Sequence, residues 1–279
     1  MEAGAFLIFP AVNPTRSSEV RALLEHLDFK PSRVLGQNFL VDANILRIML
    51  DAAELSRTDA VLEIGPGLGV LTGPLAERAG RVVAIEKDDV LYEHLRTTFS
   101  DAPNLALIHS DALDVDLAGL LENGINKVVA NLPYSVGTRV FVELCHAPAR
   151  PERMIVTVQR EVADRMIAKP GTKDYGVLSV FAQTDYAASL HKAVARTCFW
   201  PAPQIESAIV LLVKQRRAIA PKDPPAYRAL VKRCFEQRRK QLGSLIRDHA
   251  AIVAIGADPK QRPETVPVGT WIELANKLA

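Results

Sequence analysis

Apolar positions along the chain change period several times, and each change predicts an element. Residues 17–27, SSEVRALLEHL, set apolar side chains at helical spacing behind Ser17, with a glutamate close behind, which predicts an N-terminal helix capped by that serine. FKPSRVLGQNFL reads as a loop, and Asp42 stands where it can cap a second amphipathic helix over about residues 42–54. Short β-rich runs then alternate with amphipathic segments. AVLEIG, RVVAIE, LALIHSD, KVVAN and RMIVTV predict strands, and LTGPLAERA, DVLYEHLRTTF, VDLAGLLEN, VFVELCH and REVADRMIA predict helices. Apolar strands separated by helices predict a parallel sheet covered on both faces, a doubly wound Rossmann-like α/β domain with its ligands at the carboxyl ends of the strands.

After residue 176 the alternation breaks. VLSVFAQ predicts one more helix, and YAASLHKAV and SAIVLLV predict closing strands. KQRRAIAPKDPP is a proline- and charge-rich linker. The expected division is therefore an α/β domain over residues 1–216, with an N-terminal arm and helix over 1–34, and a small α-helical domain over 217–279. The latter includes AYRALVKRCFEQRRKQLGSLI, expected to be one long basic helix, and TWIELANKL.

Composition narrows the functional classes. Three scattered cysteines and six scattered histidines form no metal-ligand spacing, so neither a disulfide framework nor a metal is expected. The opening MEAGAFLIFPAV carries an acid where a signal peptide carries lysine or arginine, and no run approaches membrane-spanning length. The expectation is a cytoplasmic protein with no membrane partner, monomeric by default. Charge is unevenly spread. Residues 1–213 hold 20 Lys+Arg against 26 Asp+Glu, a net of −6, while residues 214–279 hold 14 against 6, a net of +8. A basic C-terminal part points to a polyanionic partner.

The first strand–loop–helix unit, VLEIGPGLGVLT, carries Gly65, Gly67 and Gly69 where a strand must turn sharply and let a ligand approach the backbone. Glu86 ends the next strand 21 residues after Gly65, where an acid can accept from both ribose hydroxyls. The spacing is tighter than the dinucleotide fingerprint, and Glu63 just before the turn would repel a pyrophosphate. S-adenosylmethionine has no phosphate and carries a sulfonium and an ammonium, so these acids suit it better. Asp111, in HSDAL, is placed to accept from the exocyclic amine of the cofactor's adenine.

The fourth strand ends in Asn131-Leu132-Pro133-Tyr134, flanking the same crevice. An adenine amine is a poor nucleophile because its lone pair is delocalised into the ring. Acceptors for both amine hydrogens favour a more tetrahedral nitrogen, and the Asn131 side-chain oxygen with the Leu132 carbonyl can be those acceptors. Pro133 has a fixed φ and no N–H and so holds that carbonyl in a rigid turn. Tyr134 offers a ring face on which the base can stack.

These motifs, from about Ser32 to Ile246, resemble the ribosomal RNA adenine dimethylase family. LGQNFLVD resembles its N-terminal motif, which implies contacts to the methionine end of the cofactor from Gln37, Asn38 and the Leu40 backbone. EIGPGLGVLT, VVAIEKD, SDAL and NLPY resemble its cofactor and catalytic motifs in order, which implies cofactor contacts at Lys87 and Ala112, and at Asn131 as well. In FWPAPQIESAIV the resemblance implies that Phe199 closes the base pocket opposite Tyr134. The F-x-P-x-P segment and Q-R-R-K resemble the small-subunit branch, which dimethylates two adjacent adenines in a hairpin loop near the 3′ end of 16S rRNA. The implied partner is then 16S rRNA or the immature small subunit, with RNA contacts expected at Arg160, Arg165, Lys232, Arg233, Arg238, Arg239 and Lys240. Ser110 stands where a glycine is common, Gln204-Ile205-Glu206 replaces the usual Lys-Val-Asp, and Gly243 falls inside the expected basic helix. The competing readings are a large-subunit methylase of the antibiotic-resistance type, a DNA adenine methylase and a non-catalytic ribosome-assembly or transcription factor. An NAD-linked dehydrogenase rests on the glycine loop alone.

Overall fold

The structure, a computed structural model, describes residues 16–32 and 36–279. The N-terminal arm and Leu35 of the LGQNFL motif lie outside the described residues. The elements run α1 (Ser17–His26), β1 (Phe39–Leu40), α2 (Ala43–Ala53), β2 (Ala60–Ile64), α3 (Thr72–Arg78), β3 (Arg81–Glu86), α4 (Asp89–Thr98), β4 (Leu105–His109), α5 (Leu117–Glu122) and β5 (Lys127–Asn131). They continue with α6 (Gly137–His146), β6 (Arg153–Gln159), α7 (Arg160–Ile167), α8 (Val177–Asp185), β7 (Tyr186–Val194), β8 (Phe199–Trp200) and β9 (Ser207–Lys214). The last are α9 (Pro224–Glu236), α10 (Leu242–Leu245), α11 (His249–Ala254) and α12 (Val268–Leu278).

Seven strands form one sheet in the order β4-β3-β2-β5-β6-β9-β7, and β2, β3, β4, β5 and β6 pair in parallel. Chain order reverses between β2 and β5, so a crevice opens there at the carboxyl ends of the strands. Val61, Val82, Val128 and Ile155 are buried to within a per cent of completely, as parallel strands covered on both faces require. Asp42 caps α2 by accepting from the backbone N–H groups of Asn44 and Ile45 at 2.9 and 3.0 Å. Ser17 does not cap α1. Arg16 takes the extended cap conformation, its carbonyl receives the N–H groups of Glu19 and Val20, and both serines fall inside the first turn.

Helix α1 has a definite packing role. Val20 and Leu24 bury against Phe39, Val41, Leu68 and Leu91, with Trp200 packed on the same cluster and the Arg21 guanidinium 5.8 Å from its ring. The chain forms two compact units. One is built on the residues up to Arg160 with His191–Leu211, the other on Glu161–Leu190 with Leu212–Ala279. The division thus falls earlier than the linker at 214–225. Within the second unit, Tyr175 donates to the Val266 carbonyl at 2.8 Å, Thr184 and Tyr227 share a hydrogen bond of 2.8 Å, and Phe235 packs between Tyr175 and Trp271. Residues 161–190 therefore share a core with the C-terminal helices.

The expected long basic helix is interrupted. Helix α9 stops at Glu236, and Arg238, Arg239 and Lys240 lie in the turn before α10. The Arg238 guanidinium donates to the carbonyls of Lys173 and Thr172, at 2.9 and 3.4 Å, and faces Glu264. Those partners hold the turn. Gly243 sits in the short α10 instead of a long helix. Its carbonyl meets the His249 ring at 2.7 Å, and a Cβ there would lie 3.2 Å from that ring and from Pro259, which accounts for a glycine. Among the described residues no helix is long and apolar enough to cross a membrane.

Candidate active site

The predicted cofactor residues Gln37, Asn38, Leu40, Glu63, Gly65, Gly67, Glu86, Lys87, Asp111 and Ala112 line one cavity, together with Asn131, Leu132, Pro133 and Tyr134. Its empty space, counted with the open mouth, is about 1020 Å³. The glycine loop closes its floor. Gly65 and Gly67 adopt φ of +67° and +60°, a region that favours glycine. A Cβ on Gly65 would lie 3.0 Å from Pro133, and one on Gly67 3.1 Å from the Phe39 ring. Loop, N-terminal motif and catalytic turn therefore interlock.

Glu86 holds the loop from below. One carboxylate oxygen accepts the Gly67 N–H at 3.0 Å, and the other accepts the N–H groups of Lys87 and Asp88, each at 2.9 Å. Burial pushes its carboxyl up and these bonds oppose that. A carboxylate has about four acceptor sites, so capacity remains for a ligand hydroxyl. Asp111 is less free than the sequence implied. Lys87 Nζ pairs with it at 2.7 Å and holds its carboxyl low, and the Leu113 N–H also donates to it. Ser110, also on the cavity wall, donates to the Asp111 carbonyl at 3.3 Å.

Glu63 is 1% exposed and accepts from the Thr72 hydroxyl at 2.7 Å. Burial pushes its carboxyl up to about 8, with Glu86 adding to the shift. Below the ordinary carboxylate range both folded and unfolded chains carry the proton. Between about 4.5 and 8 only the folded chain does, so Glu63 costs stability progressively as pH rises through that window. A cation bound beside it favours the charged carboxylate and expels the proton. Affinity for S-adenosylmethionine is therefore expected to rise towards pH 8, approaching tenfold per unit at the steepest. Calorimetry at pH 7 in buffers of different ionisation heat should show proton release that Glu63→Gln abolishes.

The N-terminal motif forms a strap across the cavity. Gln37 accepts the Ser32 N–H at 2.7 Å and reaches Asp88 at 3.4 Å. Strand β1 pairs antiparallel with β8, Leu40 opposite Phe199, and the Val41 N–H donates to the Cys198 carbonyl at 2.8 Å. Asn131 Nδ2 donates to the Asn38 carbonyl at 3.0 Å. A carbonyl can only accept, so this bond fixes which way the amide points. Asn131 Oδ1 is left buried with no hydrogen-bond partner. An orphaned acceptor of this kind is costly to bury unless a ligand satisfies it. Beside it, the Leu132 carbonyl receives no backbone N–H among the described residues, whereas the Pro133 carbonyl accepts from Val136 and Gly137 and closes the turn into α6.

Tyr134 is half-buried, and its hydroxyl hydrogen-bonds Ser207. Phe199 departs from expectation. Its ring is 3% exposed, lies in the apolar cluster with Leu40, Ile45 and Met49, and is absent from the cavity wall. The β1–β8 ladder turns it into the core. The predicted RNA contacts are scattered. Arg160, the first residue of α7 and the last of this stretch of the first unit, donates its backbone N–H to the Glu206 carbonyl at 2.9 Å. In the second unit Arg165 pairs with Glu161, Lys232 lies 6.0 Å from the Phe181 ring, and Arg233, Arg239 and Lys240 are exposed. Sequence reasoning missed Phe39, Leu68, Leu91 and Asp88 on the cavity wall. Three of these are apolar and carry no chemical signal of a ligand, and Asp88 caps α4 by accepting from the Val90 and Leu91 N–H groups.

The profile of the family described as ribosomal RNA adenine dimethylase matches residues 29–279. A protein of Opitutus terrae named ribosomal RNA small subunit methyltransferase A is 41% identical over 271 residues, covering 92% of this chain and 97% of its own. One of the same name from Geobacillus kaustophilus is 39% identical over 284 residues, covering 95% and 96%. The solved 23S rRNA methyltransferase ErmE matches with a TM-score of 0.65 at 28% identity over 86% of this chain and 99% of its own. A dimethyladenosine transferase from Plasmodium falciparum matches with a TM-score of 0.71 at 21% identity over 85% and 95%, a likeness of fold. With its motifs lining one cavity and its sequence matched from residue 29 to the last residue, the chain belongs to the ribosomal RNA adenine dimethylase family.

Proposed function

We propose that this protein transfers methyl groups from S-adenosylmethionine to the N6 amines of two adjacent adenines in a hairpin loop near the 3′ end of 16S rRNA. Its substrate is then the immature small subunit, on which it acts as a cytoplasmic monomer. The observation that carries the chemistry is the buried, unpartnered Oδ1 of Asn131, a residue that lines the cavity with Glu63, Glu86 and Asp111. The small-subunit names of relatives at 39–41% identity favour 16S rRNA over the large-subunit target named for ErmE.

The donor set fits the cofactor. Glu86 suits ribose hydroxyls, Asp111 an adenine amine and Glu63 a positive charge, and this acidic set suits a pyrophosphate poorly. When bound, S-adenosylmethionine supplies an electrophilic methyl on its sulfonium. Asn131 Oδ1 and the Leu132 carbonyl accept the two N6 hydrogens and aim the nitrogen lone pair. Pro133 holds the turn rigid, and Tyr134 stacks the base, worth about 1–3 kcal/mol. The cofactor would supply its methyl to that lone pair, and the methylated nitrogen would lose a proton readily to water, so no strong base is required of these residues. Catalysis is positioning and electrostatics.

We assign catalysis to the first unit and phosphate contacts to Arg239 and Lys240 of the second. Replacing both by alanine is expected to weaken RNA binding and reduce the slope of log affinity against log salt by roughly 1.5. Arg238→Ala is expected to lower the melting temperature instead, because its guanidinium holds a turn. Salt titration and thermal melting separate the two. The assignment of substrate is tested by incubating the protein with radiolabelled S-adenosylmethionine and immature small subunits, large-subunit precursors or DNA. Label confined to 16S rRNA is expected, and label in large-subunit RNA or DNA alone would overturn it.

A further inference from the structure

The segment after β8, Pro201–Ser207, lies beside the site without supplying a wall to the cavity. It is pinned at several points. The Arg196 side chain donates to the Pro203 carbonyl at 2.7 Å, the Arg160 N–H to the Glu206 carbonyl at 2.9 Å, and β8 is laddered to β1. The segment delivers Ser207, completely buried, to the hydroxyl of Tyr134. A tyrosine ring has two side-chain torsions and several staggered wells. The hydroxyl oxygen lies on the axis of the second torsion, so a bond there fixes the first torsion and with it where the ring lies, and it comes from the strand that follows this pinned segment.

We propose that Ser207 is a positioning residue for the target base: its hydroxyl holds in place the Tyr134 ring on which the adenine stacks. This rests on the reading of Tyr134 as the stacking face. Loss of one such hydrogen bond is worth roughly a three- to tenfold change.

The test is a double-mutant cycle of Ser207→Ala and Tyr134→Phe, with Tyr134→Ala as a third variant. Turnover on immature small subunits is measured at saturating S-adenosylmethionine, and cofactor affinity by calorimetry. Ser207→Ala is expected to lower kcat three- to tenfold with cofactor affinity unchanged. Tyr134→Phe should match it, and the double variant should be no worse than either single. If Tyr134→Ala is impaired but Ser207→Ala turns over like wild type, or if the two single effects multiply, the positioning role is refuted and stacking survives. If Tyr134→Ala turns over normally, the stacking reading fails and takes this inference with it. Should Ser207→Ala not fold, Tyr134→Phe alone decides, since an unchanged kcat would overturn the role of the bond.

Discussion

Asn131→Ala is expected to reduce methylation of small-subunit rRNA by about 10²–10³-fold in kcat, the cost of losing one preorganised polar partner of a reacting group. Cofactor affinity should change by only a few-fold, because the other cavity contacts remain. The amide is needed as an amide. Nδ2 donates to the Asn38 carbonyl, which assigns the other end of the amide to Oδ1, buried and without a partner. Asn131→Asp keeps an acceptor but sets a carboxylate oxygen against that carbonyl, so it is expected to fail nearly as badly. Single-turnover methylation of immature small subunits, alongside calorimetric titration with S-adenosylmethionine, checks both. Unimpaired Asn131→Asp would show that the bond to Asn38 does not orient the group.

Glu86 carries the second large effect, on binding rather than on the chemical step. Its carboxylate receives three backbone N–H groups, from Gly67, Lys87 and Asp88, while 6% exposed. Alanine would strip all three of their acceptor in a buried place and also remove the proposed ribose partner. Each orphaned group costs about 1–3 kcal/mol. Glutamine is not a rescue, since one oxygen becomes an NH₂ that must face either the Gly67 N–H or the pair at Lys87 and Asp88. Both variants are expected to weaken S-adenosylmethionine binding by at least 100-fold and to lower the melting temperature. Retention of affinity in Glu86→Gln would contradict the hydrogen-bond account.

Much of the site was legible because its signals are short and local. A glycine turn, an acid 21 residues on and N-L-P-Y at a strand end each announce a backbone requirement within a few residues, and the parallel sheet aligns their ends. The Asp42 cap was read for the same reason. What was not legible depends on partners distant in sequence. Strands β1 and β8 are two residues each and about 160 apart, too short for any period, yet their pairing sends Phe199 into the core. The basic segment reads as helix until Arg238 is seen bound to carbonyls 65 and 66 residues away. Residues 161–190 read as part of the α/β domain, but Tyr175 and Thr184 bury against the C-terminal part of the chain. Lys87 gives no local sign that it will pair with Asp111 across 24 residues.

The most direct test of the central claim is the amount of N6,N6-dimethyladenosine in 16S rRNA. It is measured by nucleoside mass spectrometry and mapped by primer extension in cells lacking this protein. Two adjacent dimethylated adenines near the 3′ end should be missing, restored by the wild-type chain and not by Asn131→Ala. A mark that persists without the protein, or that Asn131→Ala restores in full, would contradict the account.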